Sequence, residues 1–309
     1  MKKAVYAGFD IGGTKVKFGL IDNQGRLLAR SSVASPASIE DLMDALRTGW
    51  LKLKKHAPGR IEACGFGFAG FYSLKDRKIL RSPNYRSLDG FPLYRSIGRI
   101  IDVPYTIDND ANMAAFGEYA HGAGRGSQSM VLLTIGTGIG SGIIIDGALQ
   151  HGKCGFAGEL GHITVNPDGE ACNCGGRGCL ETEASGPRLV KNYLTFSRKK
   201  KTMTPRDVYL LARQGDPDAL RSFKRCGFYL GIGLAIIMNI LNPEKILIGG
   251  GVVSAGRLLL DPARAEAERR SSPVLYACTR IEKARLGNDA GIIGAAAWAS
   301  LQTRQAVRI

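Results

Sequence analysis

A strand, a glycine turn and a returning strand occur twice in this chain, 124 positions apart. In the first copy, Ala4 to Phe9 is apolar, Asp10-Ile11-Gly12-Gly13-Thr14-Lys15 turns the chain, and Val16 to Asp22 returns. In the second, Met130 to Ile135 is apolar, Gly136-Thr137-Gly138-Ile139-Gly140 turns it, and Gly142 to Asp146 returns. The shift lays Ile11-Gly12 on Ile135-Gly136 and Ile21-Asp22 on Ile145-Asp146. Two unrelated hairpins would give this pattern, and so would two similar domains facing one cleft. Either way, the strands alternate with helical segments, which gives an α/β class. Leu42, Leu46, Trp50 and Leu53 carry helical spacing through Ser38 to His56. Ile61 to Ala69 reads as a buried strand, and Pro104 to Asp108 as a strand leading into a helix over Asn112 to Ala120. Residues 187 to 241 are mostly helical, with Asp216 to Leu241 nearly unbroken; Lys245 to Ile248 is a strand, and Ala290 to Leu301 a late helix.

With 309 residues, the chain is long enough for two cores. The 41 glycines gather in short runs, which suits turns that approach ligands closely. The formal net charge of +15 is compatible with phosphorylated ligands, but Arg198-Lys199-Lys200-Lys201, the densest basic run, reads as a solvated loop. No segment reads as the ~18-residue apolar span of a membrane helix, and the start of the chain has no signal-peptide form. A reducing, cytoplasmic compartment is expected, where grouped cysteines favour a metal over disulfides.

The glycine turns lack the Walker spacing, but glycine lets backbone N–H groups approach phosphate oxygens. In the first turn Gly12, Gly13, Thr14 and Lys15 offer donors and a cation, and Asp10 offers oxygen to Mg²⁺. Gly136, Thr137, Gly138 and Gly140 make the second. Asp108-Asn109-Asp110-Ala111-Asn112 lies where a strand ends and a helix begins. Such residues cap helices, and a carboxylate there also sits where α/β proteins bind ligands. Asp108 or Asp110 would serve to accept a hydroxyl proton, and local sequence does not choose between them.

The most specific signal is Gly158-Glu159-Leu160-Gly161-His162 followed by Cys172-Asn173-Cys174-Gly175-Gly176-Arg177-Gly178-Cys179-Leu180-Glu181. Three thiolates from Cys172, Cys174 and Cys179 with the His162 imidazole complete a tetrahedral, closed, structural Zn²⁺ site. Glu159 and Glu181 flank it and suit a polyol, since one carboxylate accepts two hydroxyl protons. The free ring nitrogen of His162 would donate to the same ligand. Cys64, Cys154, Cys226 and Cys278 read as packed thiols, with Cys154 near enough to the loop to be a spare ligand; His56, His121 and His151 read as surface or helix-end residues.

Together these stretches resemble the ROK family of repressors, open-reading-frame proteins and sugar kinases, from about residue 4 to about residue 298. The resemblance implies two related actin-like (ribonuclease-H-type) domains around an interdomain cleft. It places them at 1–115 and 116–294, with a C-terminal helix at about 295–309 packed back on the first. It implies ATP with Mg²⁺ in the cleft and structural Zn²⁺ on His162, Cys172, Cys174 and Cys179. Asp110 becomes the general base; Asn84, Asn109, Asp110, Glu159, His162 and Glu181 become hexose contacts; Gly250 and Gly251 join the nucleotide side. The expected activity is ATP-dependent phosphorylation of a hexose, glucose first, at its 6-hydroxyl. The expected partners are hexose and ATP with self-association into a dimer or tetramer, and neither nucleic acid nor membrane. A repressor would carry a DNA-binding domain ahead of the first strand, where only three residues precede Ala4. The family's usual Pro-Gly pair is missing from Gly65 to Tyr72, and Tyr85-Arg86-Ser87-Leu88 replaces a tryptophan-bearing stretch, so the resemblance leaves the sugar open.

Overall fold

The computed structural model describes residues 4–36, 38–82, 88–199 and 201–306. Its first half runs β1 (Val5–Ile11), β2 (Lys15–Asp22), β3 (Leu27–Ala34), α1 (Ile39–His56), β4 (Ile61–Phe68), β5 (Phe71–Ser73), β6 (Lys78–Arg81), α2 (Leu93–Ile97), β7 (Tyr105–Asn109) and α3 (Asp110–His121). The second runs β8 (Met130–Ile135), β9 (Ile139–Ile145), β10 (Ala148–Leu149), α4 (Leu180–Ala184), α5 (Gly186–Ser197), α6 (Pro205–Arg213), α7 (Pro217–Leu241), β11 (Lys245–Gly249), α8 (Arg257–Arg270), α9 (Pro273–Cys278), β12 (Arg280–Lys283) and α10 (Ala290–Ala306).

The two halves share one topology. The sheets are ordered β3-β2-β1-β4-β7 and β10-β9-β8-β11-β12. In both, the first two strands pair antiparallel and the later ones parallel. Ile11 faces Val16 across the first glycine turn, as Ile135 faces Ile139 across the second. Duplicated domains account for this; unrelated hairpins do not.

Each sheet buries its own core. In the first, Phe9 stacks on Phe66 and Phe18 with centroids 4.9 and 5.5 Å apart, under the α1 residues Leu42, Leu46 and Trp50. The second is mostly aliphatic, with Val131, Leu133, Ile246 and Ile248 packed against Phe223, Leu230 and Leu234 of α7. Each such buried side chain contributes about 1.5–3 kcal/mol. By length and composition α7 is apolar enough to cross a membrane, contrary to the expectation of no such span. It is half buried, and its Gly227 and Gly231 abut the α8 backbone, so its apolar face is core.

Two helices exchange places between the halves. α10, which follows the second sheet, lies on β1 and β4 of the first. Gly8 and Gly65 permit this, since a Cβ on either would stand 2.0 Å or less from a carbonyl oxygen of α10. α3, which follows the first sheet, packs on β8 and β9 of the second. The two helices cross at Gly117 and Gly294, where a Cβ on Gly294 would meet the Met113 carbonyl oxygen at 1.6 Å.

Several boundaries differ from expectation by a residue or more: β1 runs on through Asp10 and Ile11, α10 runs on to Ala306, and two others shape the site. α3 begins at Asp110 rather than Asn112, because Asn109 Oδ1 accepts from the N–H groups of Ala111 and Asn112 and caps the helix there. β9 begins at Ile139 rather than Gly142, and its Gly140 and Gly142 make room for Ala111 and Ala115 of α3.

Candidate active site

The cap on α3 separates the two adjacent aspartates. Asp108, 3% exposed, is fully engaged. Its Oδ2 lies 2.6 Å from His151 Nε2, and its Oδ1 accepts from Asn109 N at 2.7 Å and Asn112 Nδ2 at 3.0 Å. Among the described residues, Asp110 accepts only from the neighbouring Ala111 N–H, at 3.0 Å. Burial pushes its carboxyl up to about 7, the charge of Asp10 adds to this and that of Glu159 adds further, while the Ala111 N–H opposes. A carboxyl poised near neutrality is matched to taking a proton from a hydroxyl.

His151 is not the surface or helix-end residue that its sequence surroundings suggest. Its side chain is 22% exposed, its ring lies 5.9 Å from Trp298, and the bond to Asp108 raises its pKa against the opposing effect of burial. No local signal could have found it, since the contact joins positions 43 residues apart. Cys154 and Cys278 are exposed rather than packed, and Cys154 is outside the metal cluster. Their polar neighbours, Lys153 and Thr279, leave these loop and helix-end positions without an apolar face to join.

At the first glycine turn, Gly12 N–H closes on Lys15 O, and Ser35 Oγ donates to Gly12 O at 2.6 Å. Gly13, Thr14 and Lys15 are exposed there. The cation paired with Asp10 is Lys17, at 2.8 Å, which also donates to Asn288 O. Sequence reading chose Lys15 alone; the two-residue strand period puts Lys17 on the same face and could have found it.

At the second turn, Gly136 N–H closes on Gly138 O, and Gly186 N–H donates to Gly136 O at 2.9 Å, tying α5 to the turn. Beside it opens a cavity of about 840 Å³. Gly136, Thr137, Gly251 and Val252 line one side, and the apolar Val190, Leu194, Met203 and Pro205 of the α5–α6 region the other, with Lys191 and Arg206 also in the lining. This is the size and character of a site for a drug-sized or nucleotide ligand. The α5–α6 wall went unread, because apolar helix faces look alike in sequence whether they line a cavity or a core. Gly250 sits behind the wall at φ +87°, against Ile135, and Gly140 against Ala111.

The cysteine loop brings its four predicted ligands together. Cys174 Sγ lies 3.6 Å from Cys179 Sγ, Cys172 Sγ lies 3.6 Å from His162 Nδ1, and all four ligand atoms fall within 4.8 Å of one another. A disulfide needs roughly 2.05 Å between sulfurs. The edge of a tetrahedron with ~2.3 Å metal–sulfur bonds is roughly 3.8 Å, so a closed S₃N site fits the donor set. His162 turns Nε2 toward Glu159 Oε2, 3.9 Å away. Glu159 is 45% exposed, yet partial burial still raises its pKa, with His162 opposing and Glu181 adding. Glu181 Oε2 accepts the Ile139 N–H at 2.8 Å, so this carboxylate reaches the second glycine turn. Asn109, Asn112, Glu159 and Gly70 line a small recess, and the buried Oδ1 of Asn112 has no partner among the described residues. Asn84, Pro83, Tyr85, Arg86 and Ser87 lie outside the described residues.

The sequence profile of the ROK family matches residues 6–302. A glucokinase of Halalkalibacterium halodurans is 37% identical over 94% of this chain and 93% of its own length. The xylose repressor of Bacillus subtilis is 32% identical over 95% of this chain and 76% of its own. Among solved structures, a ROK family glucokinase from Streptomyces griseus, in complex with glucose and AMPPNP, superposes with a TM-score of 0.85 at 35% identity, covering 96% of this chain and 99% of that one. The doubled sheet is therefore the actin-like fold of sugar kinases, and the profile, the full-length relatives and the shared architecture agree that this chain belongs to the ROK family.

Proposed function

We propose that the chain phosphorylates a hexose with ATP, glucose being the first substrate to try and its 6-hydroxyl the acceptor. The observation that carries this is Asp110. It is the carboxylate of the β7–α3 junction left without a strong partner among the described residues, held near neutral pKa beside Asp10 and Glu159. The glucokinase relative and the glucose- and AMPPNP-bound structural neighbour support the same chemistry.

In this mechanism Asp110 orients the acceptor hydroxyl and takes its proton as the oxygen attacks the terminal phosphate. Asn109, Glu159, His162 Nε2 and Glu181 hold the other hydroxyls, with Asn84 assigned to the same side by resemblance. The 840 Å³ cavity takes the adenosine, and the N–H groups of the two glycine turns face the phosphates. Mg²⁺ bound with ATP supplies charge neutralisation on the transferred group. Asp10 is the oxygen donor available to it, and Lys17, 2.8 Å away, orients that carboxylate. His162, Cys172, Cys174 and Cys179 would hold a structural Zn²⁺, which would tie down the loop carrying Glu159 and Glu181 and leave one His162 ring nitrogen for the sugar. The domain division at 1–115 and 116–294, with 295–309 returning to the first, belongs to this proposal, as does a dimer or tetramer, which light scattering checks.

Initial rates across glucose, fructose, mannose, allose and N-acetylhexosamines, each with ATP and with polyphosphate, test the assignment. Turnover with ATP and one or more hexoses is expected. No turnover with either donor across the panel would sink it.

A further inference from the structure

A second cavity, of about 330 Å³, lies beside β7, enclosed by the β5–β6 hairpin and α10. Tyr72 stands between it and the sugar-side recess. Three features single it out. Arg77, at the hairpin turn, holds φ +55°, a conformation that side chains other than Asn, Asp and Gly adopt at a cost. Its guanidinium lies 4.5 Å from the centre of the Tyr94 ring and has no carboxylate within 4 Å among the described residues. Thr106 Oγ1, within the wall, is buried and has no partner among the described residues. The lining is thus rich in donors: Arg77, Thr106, the Tyr72 hydroxyl, the Gln302 amide and the imidazole of His151. Its one carboxylate, Asp108, is already occupied by His151 and Asn112.

A donor-rich cavity with an unpaired guanidinium and aromatic walls recognises an anion attached to a ring. We propose that this cavity binds a phosphate monoester of a sugar, the chemical class that hexose phosphorylation produces, at a site separate from the cleft. The guanidinium takes the phosphate oxygens, and Tyr94, Tyr105 and Trp298 take the sugar ring. The occupant touches the catalytic turn through a short chain of contacts. His151, in the cavity wall, bonds Asp108; Asp108 bonds Asn112; Asn112 belongs to the first turn of α3, which carries Asp110. His151 comes from the loop after β10 and Asp108 from β7, so the same contact spans the two halves of the molecule.

The test is a titration of D-glucose 6-phosphate into the full chain with glucose and Mg²⁺–AMPPNP already saturating. It is followed by the emission of Trp298, which lines the cavity. A saturable change is expected, with inorganic phosphate binding at least tenfold more weakly because it lacks the ring. Arg77→Asn keeps the left-handed turn and removes the cation; Gln302→Leu removes a second donor from an accessible helix face. Each variant is expected to weaken the ester at least tenfold, with melting temperature and the ester-free kcat unchanged. Binding that vanishes once the cleft is filled overturns the proposal, since the ester would then occupy the cleft alone. Wild-type affinity in both variants overturns it too, and equal affinity for inorganic phosphate overturns the ester assignment.

Discussion

The two halves have the same strand order and the same glycine turn, yet they end differently. β7 runs into Asp108-Asn109-Asp110 and a capped helix, and β12 ends at Lys283 ahead of Ala284 and Arg285. The first half keeps an aromatic core and contributes Gly70, Asn109 and Asn112 to a small recess whose carboxylate, Glu159, comes from the second half. The second keeps a mostly aliphatic core and adds α5 and α6, which wall a cavity of about 840 Å³, and the cysteine loop. Duplication thus supplies the facing turns, and divergence at the strand ends supplies the division of labour. α3 and α10, each lying on the other half's sheet, keep the two parts in register.

The largest effect is expected where the halves differ most. Asp110→Asn should lower kcat on the order of a thousandfold while leaving sugar binding measurable by calorimetry, because it removes the base and keeps the shape. Asp108→Asn should cost much less in kcat; equal losses in the two variants would erase the distinction drawn between them. Cys174→Ser should take metal content from about one zinc per chain to none and lower the melting temperature, and unchanged zinc by elemental analysis would contradict the site. Gly294→Ala tests what the halves share. The methyl group meets the α3 backbone, and a loss of about 1–3 kcal/mol in chemical denaturation is expected. Smallest is the pH effect. Asp110 must be ionised to act and titrates near 7, so kcat/KM should fall about tenfold for each unit of pH below that value and level off above it. A flat profile from pH 5.5 to 8 would remove Asp110 as the base.

Much of this molecule is legible in its sequence, and the limits have physical causes. The repeat is readable because strand period and glycine turns are local. The metal cluster is readable because three of its ligands fall within eight residues and the fourth lies ten before them. The choice between Asp108 and Asp110 depends on a histidine from another strand's loop, and no local pattern encodes that. Lys17 was within reach by strand alternation, whereas the nucleotide-side wall was not, because Val190, Leu194 and Met203 are as apolar as core residues.

The bond from Ile139 N–H to Glu181 has a consequence for how ligands on either side of it would affect one another. Glu181 follows the last cysteine of the metal loop by two positions, and its carboxylate rests on the second glycine turn. One oxygen is committed to that turn, and under the proposed function the same carboxylate would also meet the sugar. Two ligands that share one carboxylate in this way would not bind independently. Whatever free energy the first contributes by fixing Glu181, the second gains, and linkage requires the exchange to be equal in both directions.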